Sequence, residues 1–177
     1  GEKPVTWRTA RARAVVKLPP EVVAQIQNGE IRSHKGPVSQ SVILAGIAGA
    51  KKTSELIPYC HPLGLEDCKI EVQINSTHEA VIECYAAAHN KTGVEMEALT
   101  GAAVGALTLY DMCKAFSHDI VIHEIRLLEK TGGKSDYSTR PEPAVVRPAP
   151  GRRPKPPHGR RQGPAPVRRQ NPNRTGI

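Results

Sequence analysis

No stretch of this sequence comes near the ~18 consecutive apolar residues of a membrane span, so a helical membrane protein is excluded. Cysteine is sparse: Cys60, Cys68, Cys84 and Cys113 form no Cys-x-x-Cys pair and lie in apolar or mixed surroundings. In a chain of 177 residues they read as reduced thiols of a cytoplasmic protein, not as a disulfide framework. The chain opens on Gly1 without a Met, so the lack of a signal peptide carries no weight. Most of the chain also lacks an excess of either charge. The net charge is +8, yet residues 141–177 alone hold nine Lys and Arg against Glu142, which already gives +8. Residues 1–140 keep 16 basic and 16 acidic groups, a net of zero, which excludes a uniformly basic nucleic-acid-binding domain.

The basic segment has ten Pro, four Gly, seven apolar residues and no Phe, Tyr or Trp. Such a composition buries too little surface to offset the entropy of ordering, so residues 141–177 are expected to form a disordered tail on a 1–140 domain. Its Arg pairs give a weak, salt-sensitive attraction to anions. With no ring for base stacking, specific nucleic-acid binding is not expected.

Within the domain, residues 11–18 read as a strand and 20–28 as a short helix, with Pro20 at its start and Gly29 past its end. Val38–Lys51 reads as a buried helix whose small residues (Ala45, Gly46, Ala48, Gly49, Ala50) admit a close neighbour. Residues 67–75 and 79–89 alternate as strands of a hairpin turning at Ser76-Thr77-His78. Residues 94–117 form the long helix, with a Thr92/Glu95 capping box and Leu99, Ala103, Ala106, Tyr110 and Cys113 on one face. Residues 121–130 close the domain as a strand before a Gly132-Gly133 turn. The pattern predicts an α+β sandwich, with helices packed on one face of a largely antiparallel sheet.

Two motifs fail on spacing. Gly133-Lys134-Ser135 ends like a phosphate-binding P-loop, but the first glycine would fall on Leu128 and no helix follows. Cys60-His61 and Cys68 match no zinc pattern, and Cys84 and Cys113 fall on a strand and a helix as core thiols.

Several polar groups remain that burial-driven folding does not ask for. His61 precedes Pro62, which biases it to an extended backbone; it is either a surface-loop residue or an imidazole held in a fixed direction. Glu95 completes the cap, whereas Glu97 has no such duty. Asp111 and Lys114 stand three apart on the helix, either an exposed ion pair or a proton-transfer pair beside an anion. Lys35, before Gly36, is a solvated loop lysine or a phosphate contact. Glu97 and Asp111 share a face but lie ~21 Å apart along a straight helix, so a small site using both must draw one from a neighbouring subunit.

Four segments resemble the signatures of the cyclic pyranopterin monophosphate synthases, molybdenum cofactor biosynthesis protein C. They are KKTSELIPYCHPL (51–63), KTGVEMEALT (91–100), LYDMCKA (109–115) and RLLEKTGGKS (126–135). The resemblance covers most of positions 5–136 and implies a ferredoxin-like subunit in a homohexamer, a trimer of dimers, with active sites between subunits. The implied reaction is that of a lyase, converting 3′,8-cyclo-7,8-dihydro-GTP to cyclic pyranopterin monophosphate plus diphosphate. Carried over by motif, Asp111 is the acid/base, and Lys114 and Lys35 assist proton transfer or stabilise charge. Tyr59, Cys60, His61, Met96 and Glu97 line the substrate site, while Arg8, Lys51 and Lys130 hold phosphates or the purine-derived ring.

A polyanionic substrate needs local cations even on a neutral domain, and expelled diphosphate needs its developing charge stabilised. Atoms are rearranged and none is oxidised, so no redox cofactor is expected. No protein ligands are dedicated to a metal, and Mg²⁺ enters only as a companion of the triphosphate. Departures from the family pattern are the missing Met-Val-Asp segment before the start, Tyr59 for Leu, Pro37 for Asp, and His89-Asn90 for Thr-Gly. The competing expectation is an impaired member that acts as a binding protein through its basic tail.

Overall fold

A computed structural model of the protein describes residues 4–139, so the tail expected at 141–177 lies outside the described residues. In chain order the elements are β1 (Thr6–Lys17), α1 (Pro20–Val23), the short strands β2 (Ile26–Gln27), β3 (Glu30–Ser33) and β4 (Gly36–Pro37), α2 (Val38–Lys51) and α3 (Thr53–Leu56). They continue with β5 (Asp67–Ile74), β6 (Glu79–Asn90), α4 (Glu95–Cys113), β7 (Val121–Thr131) and β8 (Tyr137–Ser138).

Strict alternation builds the centre of the sheet. Along β1, Ala10, Ala12, Ala14 and Val16 are fully buried, while Arg11 and Arg13 point to the other face. β6 repeats the pattern with Ala80, Ile82, Cys84 and Ala86. The main sheet runs β5-β6-β1-β7-β8, and every pairing is antiparallel. Helices α2 and α4 cover its apolar face. The opposite face carries charge, in the pairs Arg11–Glu83, Arg11–Glu129 and Arg13–Glu124.

Small residues set the depth of the helix layer. A side chain at Gly46 would lie 3.0 Å from the Gly101 carbonyl, and one at Gly101 only 2.6 Å from Cys84 Sγ. The two helices therefore meet backbone to backbone, and α4 sits directly on the alanine-rich strands.

The expected α+β architecture stands, with differences in detail. Strand β1 begins at Thr6, five residues before the expected start, because Arg8 occupies an inward position that apolar alternation does not mark. The helix expected over 20–28 stops at Val23, and the chain turns through Asn28 (φ 52°) and Gly29 (φ 79°) between β2 and β3. Thus Gly29 serves a hairpin turn and not a helix end. The long helix ends at Cys113, and its buried stripe runs through Ala98, Ala102, Ala106, Leu109 and Cys113. That stripe is rotated from the expected one, because α4 is wedged between the sheet and α2. The capping box does not form: the N-cap is Val94, with no side-chain cap bond.

Candidate active site at the two ends of the long helix

Helices α2 and α4 run antiparallel, since Gly105 adjoins Val42 and Gly101 adjoins Gly46 and Ala50. The start of α2 therefore lies beside the end of α4, and its end beside the start of α4. The expected site residues divide between these two places.

At the C-terminal end of α4, Asp111 is clamped by two lysines. Lys35 Nζ lies 2.8 Å from Oδ2 and Lys114 Nζ 2.7 Å from Oδ1. Lys35 also donates to the Asp111 carbonyl at 3.4 Å. The Lys35 turn is built locally: its amide donates to Ser33 Oγ at 3.1 Å, Ser33 Oγ donates to the Gly36 carbonyl, and Gly36 takes φ 111°. The hydrogen bond from Lys114, then that from Lys35, draws the Asp111 carboxyl down to about 2. Asp111 in turn raises the Lys114 ammonium above its usual range. The cluster is half-exposed and carries a net +1, open to an anion.

The opposite end holds a cavity of about 670 Å³ between the start of β1, the Lys91-Thr92-Gly93 turn and the Gly132-to-Ser135 turn. Arg8, Lys91, Lys130 and Lys134 all line it. Arg8 is 7 % exposed, and its guanidinium donates to the carbonyls of Asn90 (3.1 Å), Lys91 (3.3 Å) and Pro4 (3.5 Å). These bonds fix the group rigidly in the cavity wall. Gly132 (φ 81°) brings its turn against the Trp7 carbonyl, where a Cβ would collide. Lys130 pairs with Glu95 at 3.0 Å.

Glu97, two residues further along the helix, is 4 % exposed. Burial, then the charge of Glu95, pushes its carboxyl above the usual range. Met96 is partly exposed and Tyr59 fully so; Tyr59, Cys60 and His61 sit in the loop after α3. Lys51, at the end of α2, lies near Cys68. The Cys68 thiol is drawn below its usual range by a hydrogen bond with Cys84, with a smaller contribution from Lys51.

The structure thus joins Lys35, Asp111 and Lys114 directly, and joins Arg8 with Lys130. Lys51, Met96 and Glu97 lie at the ends of α2 and α4 nearest that cavity, and Tyr59, Cys60 and His61 on the loop between α3 and β5, but none of the six lines it. Sequence reasoning missed Glu95, Lys91 and Lys134 as part of the basin. The Thr92/Glu95 spacing predicts a cap, whereas the Glu95 carboxylate reaches Lys130. The signal for Lys91 and Lys134 is that each flanks a glycine turn, Gly93 or Gly133.

A rigid cationic basin and a carboxylate held ionised between ammonium groups suit an enzyme that acts on an anionic small molecule. The MoaC family model matches residues 1–133, and the chain belongs to the MoaC family. It is 47 % identical over 135 residues to the cyclic pyranopterin monophosphate synthase of Xanthomonas campestris pv. campestris, covering 76 % of this chain and 82 % of that protein. It is 46 % identical over 134 residues to the enzyme of the same name from Xanthomonas oryzae pv. oryzae, covering 76 % of this chain and 81 % of that one. To molybdenum cofactor biosynthesis protein 1 of Dictyostelium discoideum it is 45 % identical over 150 residues, but it spans only 24 % of that protein's length.

Proposed function

We propose that the chain is a cyclic pyranopterin monophosphate synthase of molybdenum cofactor biosynthesis. It is a lyase that converts 3′,8-cyclo-7,8-dihydro-GTP to cyclic pyranopterin monophosphate and releases diphosphate. The observation that carries this reading is the Lys35–Asp111–Lys114 clamp at one end of α4, with a separate cationic basin at the other end, in a chain that belongs to the MoaC family. Arg8 and Lys130 hold phosphates, with Lys51 on the neighbouring helix end. Asp111 moves the proton, and its two lysines stabilise the charge that develops as diphosphate leaves. Tyr59, Cys60, His61, Met96 and Glu97 line the ring-binding part.

The two groups lie at opposite ends of a 19-residue helix, so one chain does not assemble the site alone. A second copy supplies the missing half. In support, α2 is free of charge from Val38 to Ala50 and α4 from Ala98 to Tyr110. Leu44 and Leu107 stand 70 % and 61 % exposed on their outer surfaces. Two such faces packed about a two-fold axis lay the Asp111 end of one subunit against the basin of the next. A trimer of such dimers is the proposed hexamer. The four free cysteines favour a cytoplasmic setting, and among the described residues no helix is long and apolar enough to cross a membrane.

The test is turnover of the cyclised GTP precursor by the purified chain, with both products followed, beside Asp111→Ala. Product from the unaltered chain alone supports the reading. A correctly assembled oligomer without product sinks it.

A further inference from the structure

The loop over residues 57–66 carries Tyr59, Cys60 and His61 and has neither helix nor strand. It is tied at both ends. At its start, the Ile57 amide donates to the Thr53 carbonyl at 2.8 Å and the Cys60 amide to the Ile57 carbonyl at 3.0 Å. At its far end, the Glu66 amide donates to the Ala87 carbonyl at 2.9 Å. The Glu66 carboxylate then reaches the end of β6. Its Oε1 accepts the His89 amide at 2.7 Å and faces His89 Nδ1 at 3.1 Å, with Oε2 at 3.3 Å from the same ring nitrogen.

The other side of His89 leads to the anion basin. Its ring lies 4.6 Å from that of Trp7, its register partner on β1. The residues next in each strand, Arg8 and Asn90, meet through Arg8 Nε and the Asn90 carbonyl at 3.1 Å. Asn90 Oδ1 also accepts the Lys91 amide at 2.7 Å, which shapes the turn that forms the basin wall. One carboxylate therefore links the Cys60–His61 loop to the strand end that holds Arg8 and Lys91. The side chains of Glu66 and His89 are 50 % and 60 % exposed, so as an ion pair they add little to stability. Their consequence is geometric.

We propose that Glu66, acting through His89, is a positioning residue for the reaction: it fixes the loop bearing Cys60 and His61 relative to the Arg8 basin. A substrate whose phosphates occupy the basin then meets the loop at a set distance from its ring system. This rests on the function proposed above.

The full-length chain, as assembled, is compared with Glu66→Ala and Glu66→Gln in two measurements. The first is steady-state kinetics on the cyclised GTP precursor; the second is amide hydrogen exchange over residues 57–65. Glu66→Ala is expected to lower kcat/KM about tenfold, as loss of alignment away from the chemistry does. It also speeds exchange in the loop and leaves the unfolding midpoint nearly unchanged. Glu66→Gln keeps an oxygen for the His89 amide and recovers most of the rate. Trp7 is the only tryptophan in the sequence, so its emission reports release of the His89 ring in Glu66→Ala.

Wild-type kinetics in Glu66→Ala overturn the proposal, and so does equal damage in Glu66→Gln, which would make charge and not placement the cause. If the unaltered chain makes no product, the functional reading fails. The latch is then judged by exchange alone, and unchanged loop exchange in Glu66→Ala overturns it.

Discussion

The two ends of α4 hold carboxylates in opposite conditions. Asp111, in the last turn, is exposed, and both its oxygens are engaged by lysines that draw it down to about 2. Glu97, in the first turn, is buried and pushed above the usual range. The helix dipole alone would give the reverse, since it favours a negative charge at the N-terminus and opposes one at the C-terminus. Specific cations override the dipole at one end, and loss of solvent overrides it at the other. One helix thus carries a carboxylate that stays ionised at any working pH and another that burial makes less acidic than usual.

The largest test of this comparison asks whether the two ends serve one site across a subunit boundary. Asp111→Ala removes the C-terminal group and Lys130→Ala cripples the basin, so each homo-oligomer should lose turnover by about a thousandfold or more. Refolding the two variants together gives mixed dimers in which one of two sites is intact. Random pairing then restores about a quarter of the wild-type rate. Recovery of that order, measured against each variant alone, establishes the shared site. No recovery in oligomers shown to be mixed would falsify it and require both groups to act from the same chain.

Next in size are the lysines. Lys35→Ala and Lys114→Ala should each cost about 100-fold in kcat, with the oligomer unaffected. Either change also lets the Asp111 carboxyl rise from about 2 toward its ordinary 3.8, and Lys114→Ala more so, because its hydrogen bond is the larger cause. Asp111 remains ionised at neutral pH in both, so the lost rate belongs to the missing ammonium. Carboxyl titration by NMR alongside kinetics separates the two effects. A normal rate in both variants breaks the proposed mechanism.

The sandwich was largely legible because its strands alternate with period two and its helices are long. The apolar run of Val38–Lys51 marks α2 to the residue, and alternation marks β5 and β6 within a residue of each boundary. What escaped was whatever tertiary partners decide. Arg8 turns inward onto three carbonyls, which no local pattern signals. Thr92 and Glu95 have the spacing of a capping box, yet Lys130, brought in from β7, takes the carboxylate. The Asp111–Lys114 contact was readable from i,i+3 spacing, but not the arrival of Lys35, which depends on α2 running antiparallel to α4. His89-Asn90, noted only as a departure from the family pattern, joins loop and basin because its strand pairs with β1 at Trp7.

Glu97 gives the smallest effect and the sharpest sign. Its folded carboxyl titrates above the ordinary 4.5, so between that value and the raised one the folded state binds more protons than the unfolded chain. Its contribution is therefore most favourable below the unfolded value. It is lost as pH rises toward the raised folded value, and above that it is a constant penalty for a buried charge. Glu97→Gln keeps an acceptor and removes the charge, so it should raise the unfolding midpoint at pH 7 and leave it nearly unchanged at pH 4. Asp111→Asn at the other end should leave the midpoint nearly unchanged at both pH values, because an exposed pair adds little to stability and Asp111 stays ionised down to about pH 2. Thermal unfolding of both variants at the two pH values decides the matter. A midpoint in Glu97→Gln that shifts equally at both would mean that packing, and not burial of charge, distinguishes the N-terminal end.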